Sequence, residues 1–256
     1  MIHPTAIVHP GARIGANVEI GPYAVIGEHV VIGDGTSVGP HTVIEGWTEI
    51  GRDNRIFQFA SVGAAPQDLK FRGEQSWLRI GDRNTVREFV TLHRGTTDGG
   101  GETVIGSNNL FMAYAHVAHD CRVGNHVILA NAATLAGHVQ VDDHAILGGL
   151  SAVHQFTRIG LHAMISGGSM VNQDITPYTI AQGDRAQPAG INLVGLKRRG
   201  FSEETIRSIK QAYKLVFRSG LRLESALEQL DPDAERIPEL AVFVNFIKES
   251  QRGIAR

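Results

Sequence analysis

The chain has 256 residues and a net charge of −2 at neutral pH, so no basic balance points to nucleic acid. Aromatic residues make up only 6% of it against 30 glycines, which suits a core of small aliphatic side chains beside tight turns. The single cysteine, Cys121, excludes an intrachain disulfide framework and a cysteine zinc motif.

The chain opens Met1-Ile-His-Pro-Thr, with no basic stretch ahead of an apolar one, so no signal peptide is expected. No apolar run approaches the roughly 18 residues of a membrane span, and a soluble cytoplasmic protein is the expectation. From Ile2 an aliphatic residue recurs every six positions: Val8, Ile14, Ile20, Ile26, Ile32, Val38, Ile44, Ile50, Ile56 and Val62. The next residue is often glycine, as at Gly15, Gly21, Gly27, Gly33 and Gly39. The register breaks at 64–79, resumes at Ile80, Val86 and Leu92, breaks again at 96–103, and then runs from Ile105 to Val171. Short strands with a turn each time are the signature of a parallel β-helix. Three hexads make a coil of eighteen residues, each aliphatic side chain stacking on its counterpart about 4.8 Å away. The glycines are expected to supply the positive φ of the corners. End coils and sheet faces of such a solenoid need caps or partners.

Beyond Val171, the residues Pro177, Gly183, Pro188 and Gly190 read as a connecting segment over 177–190. Ser202, followed by Glu203 and Glu204, reads as a helix N-cap. Ile206, Ile209, Tyr213, Val216 and Phe217 then share one helical stripe that stops at Gly220. Further helices are expected from about Leu223 to Leu230 and from about Pro238 to Ser250. The domains expected are a solenoid over 1–176, with loop insertions at 64–79 and 96–103, and a helical cap over 191–256.

The eighteen-residue period also places polar residues. His119 stacks on Gly137, Asp120 on His138, and Ala118 on Ala136 and His154, with His116 at the end of the preceding hexad. Periodicity leaves open whether this cluster is functional or a solvated corner row. A second ladder, His126-His144-His162, falls at a different corner and reads as structural. The loop Ala65-Pro-Gln67-Asp68-Leu-Lys70, from this chain or a neighbouring one, would form a cleft beside the histidines.

The segments Gln67-Asp-Leu-Lys70, Thr91-Leu-His-Arg-Gly95, Ala115-His-Val-Ala-His-Asp120, Leu135-Ala-Gly-His138, Val153-His-Gln-Phe156 and Gly195-Leu-Lys-Arg-Arg-Gly-Phe201 resemble the acyl-carrier-protein:UDP-N-acetylglucosamine O-acyltransferases of lipid A biosynthesis. The resemblance spans the chain. It implies an all-β solenoid, a left-handed parallel β-helix with a small C-terminal helical domain, working as a homotrimer without a cofactor or metal. His119 would be the general base and the Gly137 N–H the oxyanion donor. Asp68, Lys70, His93, His116, His138, His154, Gln155, Asn192 and Arg198 would contact substrate. The partners would be a 3-hydroxyacyl carrier protein and UDP-N-acetylglucosamine. Gly167, above the small residues Ala113, Asn131 and Gly149 of one ladder, would act as the acyl-length ruler. Val194 departs from the glutamate expected there, which leaves a 3-hydroxyl or a 3-amine acceptor open. The rivals are a sister transferase for another UDP-sugar, a γ-class carbonic anhydrase using His116, His119 and His138, and a non-enzymatic β-helix scaffold.

Overall fold

The computed structural model describes residues 1–256. Its strands are mostly two residues long and assemble into three sheets of nine, eight and ten strands, in which strands from successive coils are neighbours. This is a left-handed parallel β-helix. One inward ladder shows why the hexad folds this way: Ile44, Val62, Leu92, Val117, Leu135, Val153 and Val171 are register partners from coil to coil and are all buried. Each such side chain contributes roughly 1.5–3 kcal/mol by leaving water.

The corners differ from expectation. Positive φ falls not on Gly15, Gly21, Gly27, Gly33 or Gly39 but on other residues, such as Asp120 (60°), His138 (62°) and Phe156 (63°) at one corner and His126 (56°), His144 (61°) and His162 (55°) at another. Asn, Asp and His tolerate this backbone better than most side chains. The hexad glycines are required by close approach instead. A Cβ at Gly21 would lie 2.8 Å from the Pro40 nitrogen, and one at Gly39 would lie 2.6 Å from the Gln58 nitrogen.

Both insertions are narrower than the broken register suggested. Trp77–Ile80 is already a strand, pairing with Trp47–Ile50 on one side and Glu102–Ile105 on the other. Leu78 and Ile80 both point inward, an alternation that a search at period six overlooks. The segment 177–190 is more than a connection. Thr179–Gln182 and Gln187–Ile191 form an antiparallel hairpin that extends the ten-stranded sheet. Pro188 is tolerated there because the strand lies at the sheet's edge, where an N–H is dispensable.

Four helices follow: α1 (Leu193–Arg198), α2 (Glu203–Arg218), α3 (Leu223–Ala234) and α4 (Pro238–Lys248). Ser202 caps α2 through the Thr205 N–H, and Ile206, Ile209, Tyr213 and Val216 are its buried stripe. The last residues return to the solenoid, where Asp174 bridges to Ile254 and Arg252 donates to the Asn172 carbonyl. No helix is long and apolar enough to cross a membrane.

Candidate active site

His119 sits where a hexad strand turns into a corner, and its imidazole lies against Gly137 of the next coil. A Cβ built on Gly137 would be 2.6 Å from His119 Cε1 and 2.8 Å from Nε2. The Gly137 N–H donates to no acceptor in the chain. The equivalent N–H groups of His119 and Gln155 are also free, so only its place beside an imidazole sets Gly137 apart.

The other imidazole nitrogen is fixed. His119 Nδ1 is 2.7 Å from Asp120 Oδ2, and the Asp120 side chain is fully buried. An ionised carboxylate can only accept, so Nδ1 carries the proton and Nε2 keeps its lone pair. Asp120 also accepts the Thr96 N–H and hydroxyl, both at 2.7 Å, while its own N–H donates to Thr103 Oγ1 at 2.8 Å.

Around this pair the structure gathers most of the residues expected. His138 meets His119 edge to face at 5.1 Å, stacks on Phe156 at 4.4 Å, and holds Nε2 3.7 Å from Asp120 Oδ2. Burial lowers its pKa first, with His119 adding to the effect and Asp120 opposing it. His116 Nδ1 is 2.6 Å from Thr91 Oγ1, and its pKa is lowered by burial and by His119. His93 packs edge to face on His116 at 5.1 Å. Burial, then His116 and His119, push it down to about 4, and its buried Nδ1 has no partner. Burial thus favours the uncharged imidazole at His93, His116 and His138.

The loop carrying Asp68 and Lys70 approaches this same chain's histidines. Both charges act on His138, Asp68 raising its pKa and Lys70 lowering it. Asp68 and Lys70 also line a cavity of about 310 Å³ with Thr96 and Asp98. His154 and Gln155 lie exposed one coil on, and Arg252 donates to His154 Nδ1 at 3.0 Å.

Asn192 and Arg198 are elsewhere. Asn192 caps α1 by accepting the Gly195 N–H and donates to the His162 carbonyl, so α1 lies against the corner of the second histidine ladder. That ladder is a stack, with centroids 4.7 and 4.6 Å apart from His126 through His144 to His162. Within one chain it is a different corner from that of His119. Val194 is exposed on α1, with no carboxylate in its place.

Three participants were not singled out by the sequence: Asp120 as the partner of Nδ1, Thr96 as its anchor and Arg252 beside His154. The His119-Asp120 dipeptide was a usable signal for the first. Thr96 and Arg252 lie in segments where no register says what they face.

The arrangement suits base chemistry. His119, Asp120 and His138 offer ligand atoms within 4.8 Å of one another, but Asp120 is already committed to Thr96 and His119. Burial pushes the Cys121 thiol up to about 12, so it offers no thiolate nucleophile.

Residues 174–255 match the family model described as UDP N-acetylglucosamine O-acyltransferase, domain 2, and residues 102–137 match the bacterial transferase hexapeptide repeat. LpxA from Acinetobacter baumannii is 47% identical, with a TM-score of 0.97 over 100% of this chain and 99% of that one. The UDP-N-acetylglucosamine acyltransferase of Francisella novicida is 44% identical, with a TM-score of 0.98 over 100% and 94%. The Arabidopsis UDP-N-acetylglucosamine acyltransferase is 40% identical, with a TM-score of 0.87 over the whole of both chains. With likeness of this degree from the first coil to the last helix, the chain belongs to the UDP-N-acetylglucosamine O-acyltransferases, a family of hexapeptide-repeat acyltransferase enzymes.

Proposed function

We propose that the protein transfers a 3-hydroxyacyl chain from acyl carrier protein to the 3-hydroxyl of UDP-N-acetylglucosamine, the first acylation of lipid A assembly, in the cytoplasm. The observation that carries this reading is an imidazole whose Nδ1 is fixed by a buried carboxylate while its ring lies against Gly137, a residue whose backbone N–H has no acceptor in the chain.

Nε2 of His119 takes the proton as the sugar oxygen attacks the thioester carbonyl. Asp120 stabilises the imidazolium that forms. The Gly137 N–H donates to the oxyanion of the tetrahedral intermediate. Collapse breaks the carbon–sulfur bond, and His119 returns its proton to the departing thiolate. The neutral histidines His93, His116 and His138 supply hydrogen bonds without adding charge near the acyl chain.

Asn192 and Arg198 would meet a substrate at His119 only if they came from another copy, because their own chain holds them at a different corner. This supports a homotrimer with sites between subunits, the nucleotide side furnished by one chain and the base by its neighbour. The deciding experiment is acyl transfer from 3-hydroxyacyl carrier protein to UDP-N-acetylglucosamine, to its 3-amino analogue and to other UDP-sugars. Turnover confined to another sugar would overturn the acceptor. Preference for the amine would replace the ester product by an amide.

A further inference from the structure

We propose that Thr96 is a positioning residue for the reaction, and that the second insertion exists to hold Asp120 in place behind His119. This deepens the acyltransferase reading and rests on it.

The three residues at this corner in successive coils have very different surroundings. Asp120 has a fully buried side chain, the His138 side chain is 21% exposed, and Phe156 is 54% exposed. What separates the first from the others is the insertion. Thr96 begins its single 3-10 turn, Thr97–Gly99, and its hydroxyl accepts the Gly99 N–H at 3.2 Å. With that lone pair engaged, the hydroxyl proton points at Asp120 Oδ2. A polarised chain results, running from the Gly99 N–H through the Thr96 hydroxyl to Oδ2, which His119 Nδ1 reaches from its other side. The Thr96 N–H holds Oδ1, so the carboxyl group cannot rotate.

Gly99 packs directly on the Asp120 carboxyl group, where any Cβ would overlap it. A carboxyl group this buried is costly unless donors satisfy its oxygens, and Thr96 supplies two of them. Thr96 therefore acts from outside the reacting atoms in two ways: it satisfies both oxygens of the buried carboxyl group, and it keeps Oδ2 aimed at Nδ1, so that Nε2 is the nitrogen left free.

The test is a double-mutant cycle on the full-length protein, assayed with 3-hydroxyacyl carrier protein and UDP-N-acetylglucosamine. Thr96→Val keeps the shape and removes the hydroxyl, and is expected to lower kcat about tenfold or more with KM changed less than about threefold. Thr96→Ser restores the donor and is expected to remain within about threefold of the wild type. In the Asp120→Ala background Thr96→Val is expected to cost less than about twofold, because nothing remains for it to position. Gly99→Ala reaches the same carboxylate from an independent atom and should show the same dependence on Asp120, which covers the case of a poorly folded Thr96→Val. An activity-independent measurement is the ¹⁵N spectrum of the His119 imidazole, where Thr96→Val should erode the single Nδ1–H tautomer. Wild-type kcat in Thr96→Val, an equal loss with and without Asp120, or an unchanged tautomer would each overturn the proposal. Absence of acyl transfer by the wild-type protein would instead overturn the acyltransferase reading, leaving the tautomer measurement to judge Thr96.

Discussion

The imidazole of His119 occupies the space that a side chain on Gly137 would need, 2.6 Å from the nearest ring carbon. Gly137 does not have a left-handed backbone, so alanine is conformationally permitted there and its cost is the collision alone. Gly137→Ala should displace the ring, or the coil beneath it, by a few tenths of an ångström or more. We expect kcat to fall by about 10²-fold, as small misplacements of reacting groups do, with thermal unfolding nearly unchanged. Full activity would show that ring and N–H do not act on one carbonyl.

His119→Ala should lose roughly 10²–10⁴ in kcat, the usual worth of a positioned base. Circular dichroism and oligomeric state should stay as they are, since the side chain lies at a corner and not in the aliphatic stack. Near-normal turnover would remove His119 from the role of base.

Mixed oligomers test the placement of Asn192 and Arg198. His119→Ala and Arg198→Ala chains, each inactive alone, should regain activity when co-expressed. In a trimer with sites between subunits, about a quarter of the sites would pair an intact His119 with an intact Arg198. His119→Ala paired with Lys70→Ala should not recover, because Lys70 acts on its own chain's histidines. Recovery in the second mixture and not the first would reverse this assignment of residues to subunits.

Stability should weaken in mild acid. His93 and His162 are both held down to about 4, chiefly by burial, with His116 and His119 adding to the first and His144 and Arg199 to the second. The unfolded chain takes up these protons near pH 6.5, whereas the folded chain resists until about pH 4. Unfolding free energy therefore falls as pH drops through that window, by up to about 1.4 kcal/mol per pH unit for each histidine. Asp142, raised by burial, acts in the opposite sense at the acid end. Denaturant midpoints from pH 7 to 4 would measure the slope, and His162→Phe, which preserves the stack, should flatten part of it.

Much of this was legible in the sequence because the solenoid repeats. One aliphatic residue every six positions located nearly every inward strand, and counting in eighteens placed His119 on Gly137 and Asp120 on His138. The hand of the coil came from family likeness, since spacing is indifferent to it. The spacing marks the glycines but not their cause: neighbours in the next coil, invisible in a linear chain, exclude a Cβ. The hairpin at 179–191 was hidden by Pro188 and its glycines, which read as punctuation. Thr96 was hidden for a related reason, because an insertion has no register to say which side chain it meets.

The ladder beneath Gly167 leads to a prediction about donor length. A Cβ on Gly167 would be 3.2 Å from the Gly149 carbonyl, and one on Gly149 would be 3.2 Å from the Asn131 carbonyl, so these residues stack directly. Ala113, in the coil of His119, lies three coils below Gly167, about 14 Å away. An extended chain advances roughly 1.2 Å per bond, so about a dozen bonds fit before residue 167 is reached. We expect the protein to prefer long donors of the hydroxymyristoyl type. Gly167→Met, permitted by its backbone, should shift kcat/KM toward shorter donors by about tenfold or more, as a blocked pocket costs about 0.8 kcal/mol per methylene left unburied. An unchanged ratio would show that the limit lies elsewhere.

The coil spacing gives such a gauge an unusual graduation. Within the solenoid each coil stacks on its two neighbours, so a whole coil added beyond His138 and before Gly167 would leave His119, Asp120 and Gly137 on the same partners, with the C-terminal segment that reaches His154 re-seated. It would move the far stop by one strand spacing, about 4.8 Å, or about four bonds of chain. Substitution at residue 167 trims the permitted length finely, whereas eighteen inserted residues lengthen it in a fixed increment. With Gly167 as the stop, duplication of a coil would lengthen the donor in one fixed step, a route to a lipid longer by several carbons that is separate from substitution at the stop itself.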